Sequence, residues 1–230
     1  MSFSKAVLIA VVALAISCGP ADQPAAVTVQ DDIVKAAQDR ARLLLENDHL
    51  SAVMFTLPPQ SELPMHRGGD RVVYSLSDYK LQFRPEAGEP VVRDFRQGEA
   101  HWHTAGAHAI RNVGATNAEY LVVTRKGANP TAGVTSNLAE LKPEQARVIL
   151  ENQDAKVIDV SLKPGEAQPM HKGAARLIYS MTPLNLKFAS AAGKSESAYS
   201  AGEVHYHPGG DHQVANVSKE PARYIIFELM

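Results

Sequence analysis

Cysteine is nearly missing from these 230 residues: Cys18 is the only one. With no second thiol, the chain has no internal disulfide to staple it. Charge of either sign is also unremarkable, 23 Lys and Arg against 25 Asp and Glu, for a net of −2. No basic run and no aromatic-rich nucleic-acid motif accompanies it, which argues against a nucleic-acid partner and against a polybasic membrane patch. The G-x-S-x-G elbow, the P-loop and the dinucleotide-binding glycine fingerprint are absent too, so those chemistries have no foothold.

Long apolar runs are scarce, and the clearest is at the start. Met1 to Ser17 carries one basic residue, Lys5, followed by an apolar stretch from Ala6 to Ile16. That stretch is too short for a comfortable membrane span and fits a signal peptide over residues 1–17, which implies export. Cys18 follows in Leu14-Ala15-Ile16-Ser17-Cys18-Gly19. This resembles a bacterial lipobox, with Ala15 where leucine is preferred. Two readings stand: a lipoprotein whose only membrane contact is a lipid on Cys18, or a free periplasmic protein cleaved after Ser17. Residues 18–40 then read as a Pro- and Ala-rich tether with a short helix starting at Asp31-Asp32.

What the chain does have is repetition. Gly98 to Asn112 reads GEAHWHTAGAHAIRN, and Gly202 to Asn216 reads GEVHYHPGGDHQVAN. His101, Trp102, His103, His108 and Asn112 thus recur as His205, Tyr206, His207, His212 and Asn216. Pro64-Met65-His66 recurs as Pro169-Met170-His171. Eight of the nine histidines fall into two matching quartets, which marks a duplicated unit with a site in each half. A unit this long is a small domain and not a solenoid repeat.

The segments between also match: Arg71-Val72-Val73-Tyr74-Ser75-Leu76 with Arg176-Leu177-Ile178-Tyr179-Ser180-Met181, and Tyr120-Leu121-Val122-Val123 with Tyr224-Ile225-Ile226-Phe227. These are short β-branched and aromatic runs punctuated by Gly, Pro, Asn and Asp. They predict an antiparallel all-β fold, with domains at 41–126 and 146–230 joined by a linker at 127–145. Pro143 suits the first turn of a short linker helix over Lys142 to Ala146.

Strands, turns and histidines in this order resemble the cupin superfamily, in the form of a bicupin with two tandem jelly rolls. The family's first motif places a glycine, a His-x-His pair, a glutamate and a later glycine in order. Gly165-Glu166-Ala167-Gln168-Pro169-Met170-His171 reproduces its opening, and Pro64-Met65-His66 does so without the glycine. The second motif has a glycine, a proline, another glycine and His-x-x-x-Asn. Gly202, Pro208, His212 and Asn216 match it, as do Gly98, Gly106, His108 and Asn112 with Thr104 in the proline position. The resemblance implies a double-sheet jelly roll in each half.

It also implies a metal centre of three histidines and a carboxylate, and here the chain departs from the pattern. The second histidine is Gly68 in one half and Gly173 in the other, and the glutamate position falls on Arg71 and Arg176. The metal candidates are His66, His108 and His101 or His103, with His171, His212 and His205 or His207 in the second half. Imidazole-rich ligation suits Zn, Fe, Ni or Cu. On an ideal strand His101 and His103 share one face and Trp102 takes the other, and the sequence does not say which face is interior. The opposite reading is a polar cavity without metal, in which Arg71 and Arg176 bind a carboxylate or phosphate, and Trp102 and Tyr206 either stack on the ligand or pack against a neighbouring strand. Asn112 and Asn216 are expected to brace the turns that follow them.

Three functions follow. One is a metal-dependent enzyme of dioxygenase, isomerase or decarboxylase type. Another is a non-catalytic envelope module for a small anionic ligand. The last is a structural, degenerate pair of barrels, with a homo-oligomer as a further possibility. Jelly rolls host all three.

Overall fold

In a computed structural model, residues 28–131 and 133–230 are described; the leader at 1–17 and Cys18 lie outside them. The first half contains helix α1 (Ile33–Ala36) and strands β1 (Ala41–Glu46), β2 (Leu50–Leu57), β3 (Glu62–Gly68), β4 (Arg71–Ser75), β5 (Tyr79–Pro85), β6 (Val91–Phe95), β7 (Ala100–His103), β8 (Gly106–Asn112) and β9 (Ala118–Arg125). The second repeats that order with α2 (Leu138–Leu141), β10 (Ala146–Glu151), β11 (Ala155–Leu162), β12 (His171–Gly173), β13 (Arg176–Ser180), β14 (Leu184–Ser190), β15 (Gly193–Tyr199), β16 (Val204–His207), β17 (Gly210–Asn216) and β18 (Ala222–Leu229). No helix among the described residues is long and apolar enough to cross a membrane.

Each half folds into two antiparallel sheets. In the first, five strands run β1-β2-β9-β4-β7 and four run β3-β8-β5-β6; in the second, the orders are β10-β11-β18-β13-β16 and β12-β17-β14-β15. Even the irregularities repeat. The β1–β2 register slips between Leu43 and Leu45, and the β10–β11 register slips between Val148 and Leu150. Such a bulge bends an edge strand so that the sheet can curl toward closure. Asn112 and Asn216 do what a buried amide must: both are fully buried, and Asn112 donates to Leu57 and Thr116 carbonyls while Asn216 donates to Leu162 and Glu220 carbonyls. They tie each turn to the end of the neighbouring strand.

Three apolar clusters hold the molecule. One fills the first barrel (Phe55, Leu63, Tyr79, Leu81, Phe95, Tyr120) and another the second (Leu138, Ile158, Leu186, Tyr224, Ile226). The third belongs to neither barrel alone. Val72, Tyr74, Leu121 and Val123 of the first half pack against Val157, Leu177, Ile225 and Phe227 of the second, so the two five-stranded sheets lie face to face. Strand alternation explains why both faces of these sheets are apolar: one looks into its own barrel, the other into the shared layer. Arg125 pins the seam from its edge, pairing with Asp70 at 2.6 Å and with Asp154 at 3.3 Å across the two halves.

The helices differ from the sequence expectation. Asp32 does cap α1 by accepting from the Lys35 amide at 3.1 Å, but the helix is a single turn. The linker helix lies at Leu138–Leu141 and ends before Pro143; residues 143–145 form a turn. A proline fixes a helical first turn only when apolar residues beyond it have a surface to cover. Here Leu138, before it, is the fully buried one.

Candidate functional site

A cavity of about 610 Å³ opens in the first barrel, walled by Phe55, Leu63, Phe83, Phe95, Ile110 and other apolar side chains. Its polar lining comes from β3, β4, β7 and β8, which bring His66, Arg71, His103 and His108 into one space. The strap ahead of β1 forms part of its rim through Asp31, Ile33 and Lys35. That strap is stitched to β3, where Gln30 donates to the Met65 carbonyl and accepts from the Arg67 amide.

Within the cavity the arginine is central. Arg71 is 8% exposed, and its Nη1 donates to the Gly69 carbonyl at 2.8 Å and, at 3.4 Å, to that of Thr104. Its Nη2 approaches His108 Nε2 at 3.5 Å, a long contact. The second barrel repeats the arrangement more tightly: Arg176 Nη1 donates to Ala174, and Nη2 reaches His212 Nε2 at 2.7 Å. This geometry explains both departures from the cupin motif as one change. A Cβ on Gly68 would meet Arg71 Nη1 at 2.5 Å, and one on Gly173 would meet Arg176 Nη1 at 2.6 Å. Where the motif has a second histidine, this chain needs a glycine, because the guanidinium lies over it.

Counter-charge separates the two halves. Asp70, adjacent to Arg71 in sequence, turns away to Arg125 and to the Ala105 amide. No carboxylate pairs directly with Arg71 among the described residues. In the second half Glu228, fully buried, lies near enough to Arg176 to support its charge. The position matching Glu228 in the first half is Thr124. Burial lowers the pKa of both arginines, which measures how poorly their charge is solvated.

Five of the barrel histidines, His103, His108, His205, His207 and His212, are neutral at physiological pH. Burial, followed by the charge of Arg71, pushes His103 down to about 4. Burial, then His66 and Arg71, take His108 to about 3. Burial also lowers His66 and His171, against a carbonyl contact that raises each. In the second barrel His205 and His212 fall to about 4 and His207 to about 3, burial leading in each case.

His101 and His103 face their barrel's interior and Trp102 faces out. His103 lines the cavity, while His101 packs edge-on against Phe95 at 5.2 Å and lies 3.5 Å from Glu99. His205 stacks on Tyr199 at 3.8 Å, and His207 packs near Phe188. Of the two roles open to Trp102 and Tyr206, ligand stacking and packing, the structure shows packing, against the apolar layer between the barrels, with Arg125 over the Trp102 ring at 5.5 Å. Period-two alternation forces this: once the histidines turn inward, the aromatic between them must turn outward.

The metal candidates fit a metal poorly. Among the described residues no group of three or more His, Cys, Asp or Glu side chains is arranged to hold an ion. His66 and His108 are close, with ring centroids 4.7 Å apart, as are His171 and His212 at 4.2 Å. In each barrel a fixed cation, the guanidinium, already stands beside the pair.

Several contributors were not singled out from sequence. Tyr120 lines the cavity, and its buried hydroxyl has no partner among the described residues, whereas its counterpart Tyr224 is bonded by Gln168 at 2.9 Å. Leu63 replaces Gln168 in the first half. These mismatches between otherwise matching halves, like Thr124 against Glu228, were the available signal.

No family model matches the sequence, and a search of curated proteins finds no match. Solved structures do match. AerE from Microcystis aeruginosa aligns at 14% identity and a TM-score of 0.59, covering 83% of this chain and 97% of that one. A variant of Bacillus subtilis oxalate decarboxylase aligns at 15% identity and a TM-score of 0.59, covering 84% of this chain and 75% of that one. The fold is that of a bicupin. Identity this low carries the architecture of two jelly rolls and nothing of the chemistry. A further structure of the Bacillus subtilis enzyme concerns its Mn(II) centres, at 16% identity, a TM-score of 0.54 and coverage of 81% and 74%. Here each barrel interior carries an arginine.

Proposed function

We propose that this bicupin is an exported binding module for a small organic anion, held in the first barrel by Arg71, with the second barrel as its structural base. The observation that carries the reading is a buried guanidinium, without a carboxylate in direct contact, lining a cavity of about 610 Å³ with apolar walls. A buried cation is costly unless something pairs with it, and an incoming carboxylate would supply two charge-assisted hydrogen bonds at once. The volume lies within the range of ordinary small-molecule sites. Neutral imidazoles around the arginine leave its charge unopposed and add polar contacts without a competing cation.

The second barrel is read as a base because its arginine is already engaged and a linker side chain packs into its core. Leu138 of the linker is fully buried in its apolar cluster, and Arg176 has the 2.7 Å contact to His212. Octanoate is a suitable probe. Calorimetric titration is expected to detect binding to the intact chain and a loss of at least about tenfold in Arg71→Ala, with Arg176→Ala much less affected where it folds. Absence of octanoate binding, or binding indifferent to Arg71→Ala, refutes the anion site. Fractionation of the native host tests export, with recovery in the cytoplasm as the contrary result.

The second reading is a divalent transition metal, Zn, Fe, Ni or Cu, on His66, His103 and His108. It draws on the convergence of three imidazoles on one cavity and on the Mn(II) centres of oxalate decarboxylase. Such an ion would supply Lewis-acid activation of a bound oxygen. Elemental analysis of untagged protein decides: less than about a tenth of an equivalent, unchanged by His66→Ala, removes this reading.

A further inference from the structure

The hydrogen-bonding roles of the two histidines beside Arg71 narrow the ligand further. His66 Nδ1 lies 2.8 Å from the Pro64 carbonyl. A carbonyl only accepts, so in the neutral ring Nδ1 carries the proton and Nε2 keeps its lone pair. His171 repeats the arrangement with Pro169 at 2.9 Å, so this tautomer is built into the Pro-Met-His turn of both halves. His66 lines the cavity, and among the described residues no partner is found for its Nε2. His108 is different: its Nε2 faces Arg71 Nη2, and a guanidinium only donates. One lone pair is therefore directed at the arginine and the other is left for the cavity.

The polar end of the site thus offers a cation with spare donors and, beside it, a nitrogen that can only accept. A simple carboxylate satisfies the first and leaves the second facing anionic oxygen. A ligand with a hydrogen-bond donor next to its carboxylate satisfies both. An ammonium in that place would bring a second positive charge against Arg71, whereas a hydroxyl would not. The remaining walls, Phe55, Leu63, Phe83, Phe95 and Ile110, call for an apolar body.

Resting on the anion-site reading above, we infer that the ligand is an α-hydroxy carboxylate with an apolar body, its carboxylate on Arg71 and its hydroxyl donating to His66 Nε2. Calorimetric titration with octanoate, α-hydroxyoctanoate and α-oxooctanoate tests this, because the three share a chain and a charge and only the hydroxy acid has a proton to donate. The hydroxy acid is expected to bind about fivefold to tenfold more tightly than octanoate, the oxo acid no more tightly. In His66→Phe, which keeps a ring and removes the lone pair, the preference disappears while octanoate binding persists. Equal affinity for octanoate and the hydroxy acid, equal gain from the oxo acid, or a preference that survives His66→Phe overturns the inference while octanoate binding leaves the anion site standing. Failure of all three acids to bind overturns both. If His66→Phe does not fold, the comparison of the three acids on the unsubstituted chain decides alone.

Discussion

Histidine recurs among the polar side chains inside both barrels, and its protonation lowers stability at mild acidity. His103, His108, His205, His207 and His212 have folded pKa values of about 3 to 4. The ordinary value in an unfolded chain is about 6.5. The folded form is therefore depressed, and below about pH 6.5 the unfolded chain binds protons that the native barrels refuse. Stability is complete above that pH and falls as the pH drops toward 4, by at most about 1.4 kcal/mol per pH unit for each such histidine. Melting temperature is expected to decline between pH 6.5 and 5, ahead of most carboxylate titration, and His108→Phe should flatten part of that slope. A melting temperature constant across this interval would contradict it. Arg71 and Gly68 carry the same lesson at short range: the guanidinium lies where a side chain at residue 68 would stand, so a larger residue there must displace it.

Elements flanking the barrels are held differently in the two halves. In the linker, the Ser136 amide donates to both carboxylate oxygens of Glu228, at 3.0 and 3.2 Å, and Leu138 follows into the second core. In the first half Thr124 stands in the Glu228 position, and Ile33 and Val34 are only partly buried. Glu228→Ala removes this latch and the charge supporting Arg176. Hydrogen exchange at residues 136–138 is expected to rise sharply with the first half unchanged, and stability to fall by about 1–3 kcal/mol. Protection at 136–138 equal to that of the unsubstituted chain would show that the latch does not hold the linker. Much of this architecture was legible in advance: matched β-branched runs, turn residues and two histidine quartets specify tandem jelly rolls. The inward face of His101 and His103 was not, because alternation defines two faces without saying which is buried. Nor was the linker latch, since it depends on Glu228 meeting Ser136 across 92 residues. The linker helix was misplaced because Pro143 signalled a start, while burial of Leu138 set the actual turn.

At the scale of the whole molecule the two barrels stand or fall together. Val72, Tyr74 and Leu121 have no cover without Val157, Leu177 and Phe227. Leu177 is fully buried in that layer. Leu177→Ala is expected to cost about 2–5 kcal/mol and to lower one shared unfolding transition, read equally by probes in either half. Two separate transitions, with only the second half affected, would contradict that coupling.

The face-to-face packing has a consequence for divergence. A lone barrel exposing this apolar sheet would have to pair with its own copy, and in a symmetric pair every substitution acts twice. Joining the copies in one chain, at the effective concentration a short linker provides, breaks that constraint. Leu63 and Thr124 can then stand in one half where Gln168 and Glu228 make their hydrogen bonds in the other. One copy can specialise in recognition because its twin has become the surface it stands on.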